Sequence, residues 1–249
     1  MKRRLMVNFI QAVESYSDDE VAYDILHNDF IKNVNEHKYL SLHRDWVEQN
    51  KWGYGDRELH WMWKIIVDEM PKDFKFLEIG VFKGQTISLV SLIAQVQMKN
   101  CEAIGITPLN NSGDQYSNHP DIDYFSAIKT IFENFKIKEW DRTKIIRGFS
   151  DDPTVIKISD AAGPYDIVYI DGCHDYDIVC SDIEHYKKQV KPGGFLVIDD
   201  CNLHLKIPNN RWAGFADVSK AVRDCLENDT DFKLQFAVTH NRIWRKING

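Results

Sequence analysis

The sequence predicts an α/β fold: a mostly parallel sheet with an antiparallel C-terminal edge strand, preceded by a helical N-terminal cap. Three observations carry that expectation. From Lys75 onward, short apolar runs alternate with helical stretches, the pattern that folds as parallel strands with helices packed on both faces. The first seventy residues contain helical patterns and no clear strand. The chain closes on "FKLQFAV" and "RIWRKI" about the short polar link "THN", and two strands so close in sequence can pair only antiparallel.

Each element has its own justification. In "DRELHWMWKIIVDEM", Leu59, Trp63, Ile66 and Met70 recur at the spacing of one helix face before Pro71 interrupts it. This segment ends a cap spanning 1–70, and the remaining 71–249 form the sheet domain. There "FKFLEIGV" is a strand, about Gln85 to Gln97 a helix, "CEAIGIT" a strand, about Tyr124 to Phe135 a helix, "TKIIRGF" and "YDIVYID" strands, Ile178 to Val190 a helix and "GFLVIDD" a strand. "ADVSKAVRDCL" is a further helix before the final pair of strands.

Composition narrows the function. A chain of 249 residues, 43% hydrophobic and 12% aromatic, can bury one sizeable core. A formal net charge of −7 with mixed signs argues against a nucleic-acid surface and for a small-molecule partner, leaving a homo-oligomer open. The five cysteines form no CxxC pair, which disfavours a disulfide framework or zinc site and implies a reducing compartment. No apolar run approaches the ~20 residues that span a bilayer, so no membrane partner is expected. The basic start "MKRRLMVNFIQAV" runs into "ESYSDDE" rather than a small-residue cleavage site, and a cytoplasmic location is expected.

In open parallel sheets ligands bind beyond the carboxyl ends of the strands. The first strand ends in "FLEIGVFKGQT", with Glu78, Gly80 and Gly84 in the pattern ExGxxxG. Phe82 and Gln85 stand where a dinucleotide fingerprint starting at Gly80 needs glycine, and the Gly-Lys-Ser/Thr of a P-loop is missing, so NAD and nucleotide phosphates are disfavoured. A glycine turn that lets a ligand approach the backbone, with an acid beside it, suits a zwitterionic amino-acid tail. A tight strand-to-helix turn would account for the same glycines.

Two later strands end on acid. "PYDIVYID" and "GGFLVIDD" are joined by one helix, a right-handed crossover that commonly sets such strands side by side. Asp171, Asp199 and Asp200 then converge, and three carboxylates that close are costly unless a cation joins them. An all-oxygen set points to a hard ion such as Mg2+. The alternative is one acid capping a helix and two solvated.

The succession ExGxxxG, "IDGxH" and "KPGGFLVIDD" resembles the class I S-adenosylmethionine-dependent methyltransferases, a Rossmann-like fold, over about Asp56 to the C-terminus. Within them it is most similar to the metal-dependent small-molecule and sugar O-methyltransferases of the macrocin, mycinamicin and novobiocin type. The resemblance implies that Glu78, Gly80 and Gly84 shape the cofactor loop, with Asp171 nearby, and that Asp171, Asp199 and Asp200 hold a divalent metal. It places Ser150 and Asp151 level with the adenine amine. His174 falls where the mycinamicin type has a histidine resembling a general base, acting beside Asp171, and a neutral imidazole can take a proton from a metal-activated hydroxyl. A helix-start role for His174 stays open, as does one for Asp151 and Asp152 before Pro153.

One departure stands out: the second strand ends in Thr107, where relatives carry an acid for the ribose hydroxyls, and Asp114 could fold back to replace it. His204, Arg211 and Trp212 follow the metal pair and are candidates for an acceptor pocket; "GYGDRE" could close over the cofactor. The expected activity is methyl transfer from S-adenosylmethionine to a small-molecule hydroxyl, a sugar or sugar-containing metabolite. The alternatives are a metal-independent N- or C-methyltransferase and a hydroxylase-like or non-catalytic relative.

Overall fold

The computed structural model describes residues 20–117, 119–203 and 211–248. His204 and the basic start of the chain lie outside the described residues. Seven strands form one sheet: β1 (Asp73–Ile79), β2 (Asn100–Thr107), β3 (Lys144–Arg147), β4 (Tyr165–Ile170), β5 (Val190–Ile198), β6 (Phe232–Val238) and β7 (Asn241–Lys246). Their order is β3-β2-β1-β4-β5-β7-β6. The first five strands pair in parallel, and β7 runs antiparallel to both β5 and β6. From β1 the chain winds outward through β2 and β3, then returns to β4 on the other side. That reversal opens a crevice at the carboxyl ends of β1 and β4.

The eight helices among the described residues are α1 (Glu20–Glu36), α2 (Lys38–Asn50), α3 (Glu58–Glu69), α4 (Gln85–Val96), α5 (Tyr124–Asn134), α6 (Pro153–Ala162), α7 (Tyr176–Tyr186) and α8 (Ala216–Cys225). Apolar residues on successive strand positions serve the two sides of the sheet. Phe76, Ile167, Tyr169, Phe195 and Val197 join the core under the cap, while Leu77, Val168, Ile170, Leu196 and Ile198 join the core on the opposite face. This two-sided burial is why the strands read as unbroken hydrophobic runs.

The cap shares the first of these cores. Every residue of α3 from Glu58 to Val67 is buried, so the helix has no solvent face, and Trp63 packs edge-on against Phe76 and Tyr169 at ring distances of 5.6 and 4.9 Å. Truncating a side chain in such a position costs about 3–5 kcal/mol, because little around it can collapse into the void. Trp61 is likewise core.

Two expectations shift. The expected helix to Val190 stops at Tyr186, followed by a short 3-10 turn over Lys187–Gln189, and β5 starts at Val190, ahead of the two glycines. Of the two readings open for Asp152, the helix start holds: it begins α6, its carboxylate accepting the Thr154 N–H at 2.6 Å with Pro153 in the first turn. All five cysteines are free thiols. Among the described residues no helix is long and apolar enough to cross a membrane.

Candidate active site

A cavity of about 840 Å³ opens over the carboxyl ends of β1, β2, β4 and β5. Glu78, Gly80, Thr107, Ser150, Asp151, Asp171, His174, Asp199, Asp200 and Trp212 all line it. Residues 53–56 wall its mouth, and the cap side contributes Leu59, His60 and Trp63. The 53–56 segment is fastened to the glycine loop: Gln85 Nε2 donates to the Tyr54 carbonyl at 3.0 Å, and Tyr54 stacks on Phe82 at 5.4 Å.

Gly80 sits at φ +94°, and a Cβ there would lie 1.7 Å from the Asp171 carbonyl oxygen. Glycine is therefore demanded by the neighbouring end of β4, and Gly80 also lines the cavity. Gly84, at φ +87°, opens α4; a Cβ would press on Ile128 of α5 at 3.1 Å. Glu78 is buried, and one oxygen accepts the Ile87 N–H at the start of α4. Its Oε2 has no hydrogen-bond partner among the described residues. Burial, only partly offset by the Ile87 bond and reinforced by the charge of Asp199, holds the carboxyl well above its ordinary range. An orphaned carboxylate oxygen on a cavity wall fits the ammonium group of an amino-acid tail.

The register of β4 and β5 pairs Ile170 with Ile198, so Asp171 and Asp199 leave the sheet side by side. Tyr169 Oη donates to Asp171 Oδ2 at 3.1 Å. Burial first, then the charge of Asp199, pushes Asp171 far up; burial likewise raises Asp199. Consecutive strand residues point to opposite faces. Asp200 escapes that rule because it adopts φ +53° as the strand ends, and both carboxylates line the cavity. Asp200 Oδ1 accepts the Trp212 indole N–H at 2.6 Å, while Oδ2 lies 3.4 Å from His174 Nε2. Burial opposes ionisation of Asp200, but the bond to His174, the charge of His240 and the Trp212 bond outweigh it and hold the group below its ordinary value.

The sequence reading missed His240. It lies in the β6–β7 turn with Nε2 3.2 Å from Asp199 Oδ1, and ligand atoms of Asp199, Asp200 and His240 all fall within 4.8 Å of one another. The hairpin was the available signal. Antiparallel pairing of β7 with β5 sets Arg242 opposite Ile198, which brings the preceding turn level with the strand-end acids.

His174 precedes α7 and is not part of it. Its backbone N–H donates to Asp114 Oδ2 at 2.7 Å, and its Nδ1 lies 2.6 Å from the same oxygen. Asp114 is thus committed to the histidine and does not fold back to Thr107. Thr107 ends β2 buried at the cavity wall with its hydroxyl as the polar group available there. Burial alone would lower the His174 pKa, yet its bond to Asp200 and the charge of Asp114 raise it. Phe215 packs on the imidazole at 4.4 Å and on Trp212 at 5.0 Å, forming an aromatic wall with Tyr116. Arg211 is not among the residues lining the cavity, and its guanidinium lies 3.6 Å from Glu58 of α3.

Residues 77–201 match the protein family described as a methyltransferase domain. An uncharacterised protein of Acanthamoeba polyphaga mimivirus is 32% identical over 129 residues, 51% of this chain and 52% of that protein, so the chain matches about half the length of this relative. An O-methyltransferase from Bacillus cereus in complex with S-adenosylhomocysteine superimposes with a TM-score of 0.55 at 11% identity, covering 95% of this chain and all of the other. A TDP-rhamnose 3'-O-methyltransferase of calicheamicin biosynthesis superimposes with a TM-score of 0.51 at 15% identity, covering 75% and 77%. At such identities the structural likeness establishes the fold.

Proposed function

Since the chain belongs to the methyltransferase-domain family, we propose that it methylates a hydroxyl of a small molecule, a sugar or sugar-containing metabolite, from S-adenosylmethionine with help from a divalent cation. The observation that carries this reading is the imidazole of His174, suspended between Asp114 and Asp200 where the cavity meets the acidic strand ends. Proton removal from an acceptor is a task for a nitrogen held this way.

The residues present fit both the cofactor and a divalent cation. Glu78, with its orphaned oxygen, would hold the amino group of the cofactor, Thr107 would meet the ribose, and Ser150 and Asp151 would bound the adenine. Asp171, Asp199 and Asp200 form a buried set of repelling carboxylates, the donor chemistry that a divalent cation relieves. The cofactor supplies an electrophilic methyl group, and the cation lowers the pKa of an acceptor hydroxyl. Within the chain, Asp114 orients the imidazole and stabilises its protonated form, Asp200 receives the far side of the ring, and Trp212 steadies Asp200. The flat faces of Trp212 and Phe215 suit the apolar face of a sugar ring, and the calicheamicin rhamnose methyltransferase shares this fold.

The test is transfer of labelled methyl from S-adenosylmethionine to a panel of sugars, nucleotide sugars and phenols, with and without chelator. Chelator-sensitive labelling on oxygen is expected. Undiminished labelling in excess chelator would refute the metal, and labelling on nitrogen or carbon would refute the hydroxyl acceptor.

A further inference from the structure

We infer that His240 is a nitrogen ligand to the cation of this site, and that the site prefers a first-row transition ion such as Mn2+ over the Mg2+ that carboxylates alone suggest. The inference rests on the reading that Asp199 and Asp200 hold a cation, and it deepens that reading.

The geometry comes first. Donors about 2.1 Å from a small divalent ion stand roughly 3 Å apart when adjacent and roughly 4.2 Å when opposed. His240 Nε2 and Asp199 Oδ1 are 3.2 Å apart, and all three donors lie within 4.8 Å. Very little movement closes the set around an ion.

The ring is also oriented for the task. His240 is buried, and its other nitrogen, Nδ1, lies 3.2 Å from Thr239 Oγ1. Ligating imidazoles commonly spend their second nitrogen on such a partner, which fixes the ring and leaves Nε2 for the metal. Asp199 Oδ1 already accepts from the Asn241 side-chain amide. With Nδ1–H donated to Thr239, the lone pair of Nε2 confronts a carboxylate oxygen, an arrangement that a cation between them relieves. The three side chains also face open space, since Asp199, Asp200 and His240 all line the cavity.

The chemistry then selects the ion. Mg2+ takes oxygen ligands and sheds water reluctantly, whereas imidazole suits the later divalent ions, whose affinity rises along the first row. Replacing one oxygen by a ring nitrogen therefore tilts the site away from Mg2+. In the competing arrangement Nε2–H simply donates to Asp199, and the histidine is structural.

Electron paramagnetic resonance of the full chain, stripped of metal and titrated with MnCl2, separates the two. The inference expects one tightly bound Mn2+ with a 14N modulation in the spin-echo envelope. That modulation should convert to the 15N pattern on labelling histidine, persist in His174→Ala and vanish in His240→Gln. Mn2+ affinity should fall by about tenfold or more in His240→Gln, with Mg2+ affinity, read by competition, much less affected. Mn2+ bound without nitrogen modulation, yet lost in Asp199→Ala, would overturn the histidine ligand and leave the carboxylate site standing. Failure of any cation to bind would overturn both. The isotope experiment uses the unaltered sequence, so a His240 variant that fails to fold does not block the decision.

Discussion

Two pairs of histidines sit in this fold under similar burial and opposite chemistry. In the cap, His43 of α2 and His60 of α3 face each other, with Nδ1 of one 2.9 Å from Nε2 of the other, and His43 reaches Ser88 of α4 at 3.1 Å. Burial first, then the charge of Arg44, pushes His43 down to about 3; His60 is also pushed far down, by burial and by His43. At the strand ends, His174 and His240 are nearly as enclosed but face Asp114, Asp199 and Asp200. There His174 rises instead of falling. Burial makes an imidazole neutral; the carboxylates around His174 make it a group that can hold and release a proton. His60 lines the same cavity as His174, so position alone does not separate the two kinds.

The largest change should come from emptying the acidic side. Asp199→Ala is expected to lower methyl transfer by roughly 10³-fold or more, the several kcal/mol that a cation contributes to such a step. The melting temperature should stay level or rise, since one member of a repelling set is gone. Turnover with labelled cofactor, paired with circular dichroism on melting, checks both. Activity near the wild-type level would remove the carboxylates from the mechanism.

Next comes the imidazole itself. His174→Ala should lose roughly 10²-fold or more while still binding cofactor, and the deficit should narrow as pH rises and the acceptor ionises unaided. Asp114→Asn should fall between wild type and that variant, about 10–100-fold down, as for other groups that orient a working imidazole. Parallel pH profiles for wild type and His174→Ala would leave the ring without a catalytic role.

A buried acid outside the site extends the comparison. Burial pushes Asp182 of α7 up to about 7, the nearby Ser150 hydroxyl offsetting part of the effect. A carboxyl that keeps its proton longer in the folded state than in the unfolded chain makes folding less favourable as pH rises between the two pKa values. Stability should therefore drop from about pH 4 to about pH 7, by up to roughly 4 kcal/mol from this residue. Asp182→Asn should flatten that slope in a series of thermal melts; an unchanged slope would mean the carboxyl ionises freely.

The smallest effect belongs to the cap pair. His43→Leu leaves His60 and Ser88 short of a partner and should cost about 1–3 kcal/mol in stability. Its pH–rate profile should superimpose on that of the wild type. A displaced profile would show that the cap histidines are coupled to the chemistry after all.

The convergence of acids at the strand ends is legible in the sequence. Asp171, Asp199 and Asp200 announce themselves because an acid that ends an apolar run has no reason to be there in the interest of the strand, and Glu78 is marked by the glycines that follow it. Trp212 was placed near the acids by adjacency in sequence, and it does reach Asp200. Arg211, its neighbour, turns to Glu58 instead, since adjacent residues leave the backbone in different directions. His240 and the role of Asp114 were not legible. Each acts on a residue far along the chain, and a histidine in a turn or an aspartate in a loop looks like any solvated polar residue.

The sequence by itself determined the alternation of strands and helices, the antiparallel close of the sheet and the residues on which the strands end. These follow from side-chain periodicity and from local rules of turn and crossover, which act over a few residues. Only the tertiary structure decided that Gly80 is glycine because the backbone of Asp171 leaves no room for a Cβ, that Asp200 turns its carboxylate to the same cavity as Asp199, and that Asp114 and His240 close on the acids from two separate loops. Such contacts depend on where distant segments of chain come to rest against each other. Packing sets that, and no local pattern encodes it.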